Sequence, residues 1–407
     1  MAVPSRNLYR PALFFYYLLI ILLPVQLAFH LPASFTQIAG INSDYLTPTI
    51  YLTDVIIWAF IVLVKPLGFL SRLGRKDLFL ISLAFLYLLH SVLFVSVNKP
   101  AAFYSLFKIS EFILLFWSIV TLKPSFSKTI LFFSIPVIYS SLLAIAQFMI
   151  QRSAGGIMWY LGERTFYAST FGIAAVSVSG KLLLRPYATF SHPNVLGGFL
   201  AVILSLMIYL LTKSSAFKKY RHFFYISILS GLPALFLTFS LGAWLVFLSG
   251  LVFIFLKPLK RPAIIFFLIF LLSILIPFMP LTSKSLTERR ELAESFWSHL
   301  QKHPAFGAGL NNSLIYQYGS QAVKNGLHLM QPVHNIYLFA AGELGLLGMA
   351  GFLYLLSRLA SGYCKRPYER FLPFMLILLL GFFDHYPLTL QQGQLLFVIF
   401  SAFSLIP

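Results

Sequence analysis

The chain has 407 residues, of which 59% are hydrophobic, 17% aromatic and only 10% charged. A soluble domain of this length would carry far more surface charge, so the composition excludes one and predicts a single all-α polytopic membrane domain over 1–407. The formal net charge of +19 raises nucleic acid as a partner, but Lys and Arg stand in short clusters between apolar runs and form no stripe interleaved with aromatics, so no nucleic-acid binding is expected.

Apolar runs of about 20 residues recur, and strand-length alternation of the outer-membrane barrel kind is absent, so the spanning elements are read as helices. The first, about Pro11 to His30, follows Arg6 and Arg10 and lacks a small-x-small cleavage site, which reads as an uncleaved signal anchor. Helix two covers about Pro48 to Val64. Helices three (about Leu78 to Val97) and four (about Ala101 to Leu122) turn at Asn98-Lys99-Pro100. Helix five, about Thr129 to Ile150, leads to a first outer loop, 151–191, whose Phe166 to Ser179 stretch suits an interfacial or re-entrant segment. Helix six covers about Pro193 to Thr212.

The next apolar stretch, Phe223 to Leu256, is about 34 residues, too long for one crossing at 1.5 Å per residue. It is split at Ser240-Leu241-Gly242 into helices seven and eight. Helix nine, about Pro262 to Leu281, precedes a second outer loop, 282–333, in which Leu286 to Gln301 reads as a short amphipathic helix. Helix ten covers about His334 to Leu356. Helices eleven (about Phe371 to Phe383) and twelve (about Leu388 to Ile406) turn at Asp384-His385-Tyr386. About 12 transmembrane helices with two sizeable extracytoplasmic segments result, and 19 of the 30 Lys and Arg fall inside against 10 outside. Cys364, the single cysteine, excludes an intramolecular disulfide and falls in a cytoplasmic loop.

This topology brings Arg185 to Asn194, Thr282 to His334 and Asp384 to Tyr386 to one outer face. Arg185 offers a planar fork suited to phosphate oxygens, though it can equally snorkel to headgroups while Asn194 caps a helix. Of Arg289 and Arg290, either can stay free of the neighbouring Glu288, Glu291 and Glu294 to meet an anion. His334, followed by Asn335 and Tyr337, opens helix ten; it reads as an interfacial anchor or as a general base taking a proton from a sugar hydroxyl. Glu343 lies about 13 Å further along that helix, too far to orient His334, and reads as a buried structural or pathway carboxylate. Lys108 and Glu111 read as a self-neutralising intramembrane pair. The outer histidines His192, His299, His303, His328, His334 and His385 show no tight ligand spacing with Asp, Glu or Cys, so no metal is expected.

Thr189-Phe190-Ser191-His192-Pro193-Asn194-x-Leu196-Gly197, then His303-Pro304-x-Phe306-Gly307-x-Gly309-x-Asn311, then His334-Asn335-x-Tyr337-Leu338 with Glu343-x-Gly345-x-x-Gly348, resemble the ordered motifs of the O-antigen ligase and polymerase superfamily. The resemblance implies a membrane-embedded glycosyltransferase that moves a glycan from an undecaprenyl-diphosphate carrier to an acceptor glycan, lipid or protein hydroxyl. It places the chain in the bacterial cytoplasmic membrane with its active site outward. It implies His334 as general base, Arg185 as diphosphate ligand with Arg289 or Arg290 as a second, Asn194, Asn335 and Tyr337 in substrate binding, and no metal or other cofactor. The family's Ser-Arg pair at the outer end of a helix is replaced by Ser240-Leu241, so Arg164 or Arg289 supplies that charge, or the carrier is handled differently. The rival class is a non-enzymatic transporter or flippase of lipid-linked glycans.

Overall fold

A computed structural model describes residues 6–38, 40–66, 68, 73–255, 284–319, 331–361 and 367–406. Because lipid leaves a backbone no partners but its own, the apolar runs form helices. In chain order these are α1 (Arg6–Ile21), α2 (Leu52–Val64), α3 (Arg75–His90, continued by a π turn at Ser91–Val95), α4 (Lys99–Leu122), α5 (Phe126–Ile150), α6 (Pro193–Lys213), α7 (Arg221–Leu237) and α8 (Leu241–Phe255). Then come α9 (Lys284–Lys302), α10 (Ser313–Gly319), α11 (Ile336–Ala360), α12 (Tyr368–Leu380), α13 (Tyr386–Thr389) and α14 (Gln391–Leu405). Among the described residues five helices are long and apolar enough to cross a membrane: Arg75–Val95, α4, α5, α6 and α11. The chain is therefore multi-pass; expected helix nine and Cys364 lie outside the described residues.

The first expected helix is too long. It stops at Ile21, just before Pro24, which has no N–H to continue a ladder. Residues beyond it form strand β1 (Ala28–His30), which pairs antiparallel with β4 (Thr49–Tyr51) across the two-residue strands β2 (Gln37–Ile38) and β3 (Ile41–Asn42). Within 151–191, β5 (Ala175–Val178) and β6 (Lys181–Leu184) pair as an antiparallel hairpin that takes in the end of the Phe166 to Ser179 stretch. The expected break in the long apolar stretch is present: α7 ends at Leu237, Phe239 turns through φ 49°, and the Ser240 hydroxyl accepts the Ala243 N–H at 3.4 Å to start α8.

At the centre stands α6, buried along most of its length, whereas α3 has no buried residue. Helix α11 is broken at Gly345, where φ is 66° and ψ −175°. The backbone groups freed there are taken by the Gly-rich turn after α9: Ala308 N–H donates to Gly342 O at 2.8 Å, Gly309 N–H to Glu343 O at 2.9 Å, and Leu346 N–H to Pro304 O at 2.8 Å. A Cβ on Gly345 would lie 2.3 Å from Ala305 O, so the contact requires glycine twice over, by space and by φ. The Glu343 carboxylate accepts the N–H groups of Asn312 and Ser313 at 3.2 and 3.1 Å and the Ser313 hydroxyl, which makes it an anchor for this turn and for α10.

The expected Lys108–Glu111 pair is a triad. Lys108 Nζ lies 2.8 Å from Glu111 Oε2 and 2.7 Å from Asp54 Oδ1, brought by α2. Gln391 of α14 donates to the same Asp54 oxygen. Spacing along α4 reports only its own helix, so the third member was invisible in it.

Candidate functional site

Three helix ends and one loop helix converge. The Asn335 side chain caps α11, its Oδ1 accepting Tyr337 and Leu338 N–H at 2.9 and 3.0 Å, and its Nδ2 donates to Phe382 O at 3.3 Å. Tyr337 donates its hydroxyl to Leu378 O at 3.1 Å. Ile336 N–H reaches Gly381 O at 2.8 Å. Asn335 and Tyr337 are thus buried in the joint between α11 and α12, and that joint sets His334 against the turn after α12.

There His334 meets Asp384 and His385: one side-chain nitrogen or oxygen from each lies within 4.8 Å of the others, and the two imidazoles stand edge to face with centroids 5.2 Å apart. Asp384 Oδ1 accepts the His385 backbone N–H at 2.8 Å, and Oδ2 accepts Asn194 Nδ2 at 3.1 Å. Asn194 Oδ1 in turn accepts Arg185 Nη2 at 2.6 Å, while Arg185 Nε donates to Thr238 O at 2.7 Å. From α9, Arg289 Nη1 donates to Phe383 O at 2.7 Å, one residue before Asp384. Arg290 points away, bound to Glu294 at 2.7 Å on the exposed side. A chamber of about 720 Å³ opens beside the cluster, lined by His334, Asp384, His385, His192, Tyr45 and Lys108 among others, and a volume of that order suits a small-molecule site.

Residues 226–353 match the family model described as O-antigen ligase. Over this segment, which is under a third of the chain, the protein is similar to the O-antigen ligase family. No curated protein matches the chain. A likeness to that family points to glycosyltransferase activity on lipid-linked glycans in a membrane. The matched segment holds Arg289, Arg290, His334 and Glu343; Arg185, Asn194, Asp384 and His385 lie to either side of it and are brought to it by the fold.

Burial dominates the electrostatics of the cluster. It lowers His334 to about 3 against the pull of Asp384, with Arg289, His385 and His192 acting in the same direction as burial. His385 and His192 are likewise lowered to about 4, chiefly by burial. For Asp384 burial acts upward but is outweighed by the surrounding imidazoles and Arg289, which hold it at about 2. At neutral pH the three rings are therefore uncharged, and Arg289 remains as a cation beside the ionised Asp384. His334 Nδ1 is buried with no hydrogen-bond partner among the described residues.

The fold corrects the expectation about ligand spacing, since His334, Asp384 and His385 together offer three metal-ligating atoms. Their present engagements favour another use. Both Asp384 oxygens already accept hydrogen bonds, His385 Nδ1 is bound to Thr389 Oγ1 at 2.6 Å, and the guanidinium of Arg289 disfavours a second cation. Asp384 and His385 had no assigned role in the sequence; the signal was a polar triplet interrupting two apolar helices. Leu241 is 74% exposed at the start of α8 and contributes nothing to the cluster. Arg164 lies exposed, 3.9 Å from Asp44, so of the two named substitutes Arg289 is the one beside Asp384.

Proposed function

We propose that the protein transfers a glycan from an undecaprenyl-diphosphate carrier to an acceptor hydroxyl on the extracytoplasmic face of the bacterial cytoplasmic membrane, as a ligase or as a repeat-unit polymerase. The observation that carries this reading is the placement of His334 beside the ionised Asp384, both lining the chamber, with Arg289 donating to Phe383 O next to Asp384 and Arg185 bound to Asn194, which lines the chamber too. The acceptor oxygen attacks the anomeric carbon while His334 takes the hydroxyl proton, and the bond to the diphosphate breaks with its electron pair leaving on the diphosphate. Arg185 and Arg289 offset the charge that collects there, work a divalent ion does elsewhere. Asp384 stabilises the imidazolium as it forms, which a ring held at about 3 requires if it is to act as a base. Asn335, Tyr337 and Asn194 serve by holding His334, Asp384 and Arg185 in register, and Arg290 serves the outer surface.

The test is His334→Ala in a strain deleted for the protein, scoring glycan on its final acceptor, glycan chain length and carrier orientation. Loss of transfer with carrier orientation unchanged supports the enzyme, lost length marking a polymerase and retained unattached length a ligase. Transfer that survives while orientation changes returns the flippase. Transfer by purified protein in EDTA is expected to match that in its absence.

A further inference from the structure

His192 is one of the chamber imidazoles that the mechanism does not use. His192 stands at the entrance of α6 in an extended conformation, φ −155° and ψ 149°, and its Nδ1 accepts the backbone N–H of Asn194 at 3.1 Å. A nitrogen that accepts an N–H has no proton of its own, so in the neutral ring the proton is on Nε2. Nε2 lies across the ring from this cap and makes no hydrogen bond to any described residue, and the ring lines the chamber shared with His334 and Asp384.

We propose that His192 donates its Nε2–H to an oxygen of the carrier's diphosphate, as an uncharged hydrogen-bond donor beside Arg185 and Arg289. The inference rests on the transfer reaction proposed above and assigns it a further group in contact with substrate. Two features select an anion over a sugar hydroxyl. Arg185 is hydrogen-bonded to Asn194, two residues from His192, and the same Asn194 supplies the N–H that His192 Nδ1 accepts, so the ring stands close to a guanidinium. The open end of the 21-residue α6 adds its own partial positive charge. Burial and Arg185 hold the ring uncharged, so His192 gives a hydrogen bond and keeps its proton while His334 gains one. The two imidazoles then divide the work: one tautomer is fixed as donor by its cap, and the other ring is left to accept.

Capping and donation can be separated by substitution. Serine at 192 still accepts the Asn194 N–H but has no donor that reaches as far as Nε2, whereas glutamine brings an amide N–H to about that distance and caps poorly. For His192→Ser we expect the thermal unfolding of wild type, with transfer and the affinity for undecaprenyl diphosphate, measured on purified protein, each reduced roughly tenfold or more. For His192→Gln we expect a lower unfolding temperature but transfer and binding several-fold above the serine variant. A serine variant that binds undecaprenyl diphosphate as wild type does, or a folded glutamine variant no better than serine, overturns the proposal. Transfer by His334→Ala would overturn the transfer reading alone, because carrier binding by the His192 variants is read without it.

Discussion

Lys108 and His334 face the same chamber and are treated in opposite ways. The Lys108 ammonium is held between Asp54 and Glu111 at 2.7 and 2.8 Å, and Gln391 binds the same Asp54. Acid outnumbers base there, and the cluster ties α2, α4 and α14 together. Around His334 base outnumbers acid: Asp384 is surrounded by Arg289, Arg185 at one remove through Asn194, and three imidazoles, and His334 Nδ1 has no described partner. Burial of charge alone does not mark chemistry in this chain. What marks it is a surplus of donors and cations around the residues that line a cavity, since such a surplus is complete only when an anion arrives.

The sharpest way to break this contrast is to exchange the expected losses. His334→Ala is expected to reduce transfer by about 10²- to 10⁴-fold, the range of a lost general base, with the unfolding temperature within a few degrees of wild type. Lys108→Met is expected to do the reverse at the level of the fold, costing about 3–5 kcal/mol of stability because two carboxylates are left without their cation in an apolar setting. Adding Asp54→Asn and Glu111→Gln to Lys108→Met should recover most of that loss. If His334→Ala unfolds the protein while Lys108→Met leaves stability untouched, the roles assigned to the two clusters are wrong.

How far these clusters were legible follows from where their parts come from. The break between α7 and α8 was readable because an apolar run of about 34 residues cannot cross once, and Ser240 is a good cap. That Arg185 to Asn194, Arg289, His334 and Asp384 come together was readable from loop charge. Asp54 was not, because an i to i+3 spacing sees one helix while the triad needs two. The interruption of α11 at Gly345 was not, because Pro304 to Gly309, far back in the chain, supply the hydrogen bonds that make it tolerable. Asp384 and His385 were visible as polar residues, but their meeting with His334 depends on the Asn335 and Ile336 contacts to the end of α12.

Acid gives an intermediate effect on the same contrast. Folded His334 titrates at about 3, and His192 and His385 at about 4, against an ordinary 6.5. Below that ordinary value the unfolded chain takes up protons that the folded chain refuses, so stability is at its fullest above pH 6.5 and falls as pH drops from there toward 4. Asp384, at about 2 against 3.8, adds to the loss only below its ordinary value. Unfolding temperatures measured at pH 7.5 and pH 5 should therefore decline, less steeply in His385→Asn. Transfer by the folded enzyme should show no acid limb near pH 6.5; one found there and abolished by His334→Gln would place His334 in water rather than in the buried cluster.

The smallest effect sharpens the contrast within a single helical turn. Arg289 and Arg290 are adjacent, carry the same charge and were indistinguishable by spacing. Arg289 reaches Phe383 O at 2.7 Å beside Asp384, whereas Arg290 and Glu294 form an i,i+4 pair in which both side chains are about half exposed. Arg289→Ala is expected to lower transfer roughly tenfold or more, since it removes a charge-assisted donor and the standing cation next to Asp384. Arg290→Ala removes an exposed pair worth under about 1 kcal/mol and should leave transfer within about twofold of wild type. Lysine should rescue position 289 only in part, because an ammonium keeps the charge but loses the planar fork that can serve Phe383 O and an anion together. Equal losses at 289 and 290 would mean that the site responds to the net charge of α9, and the geometric distinction between the two arginines would then carry no functional weight.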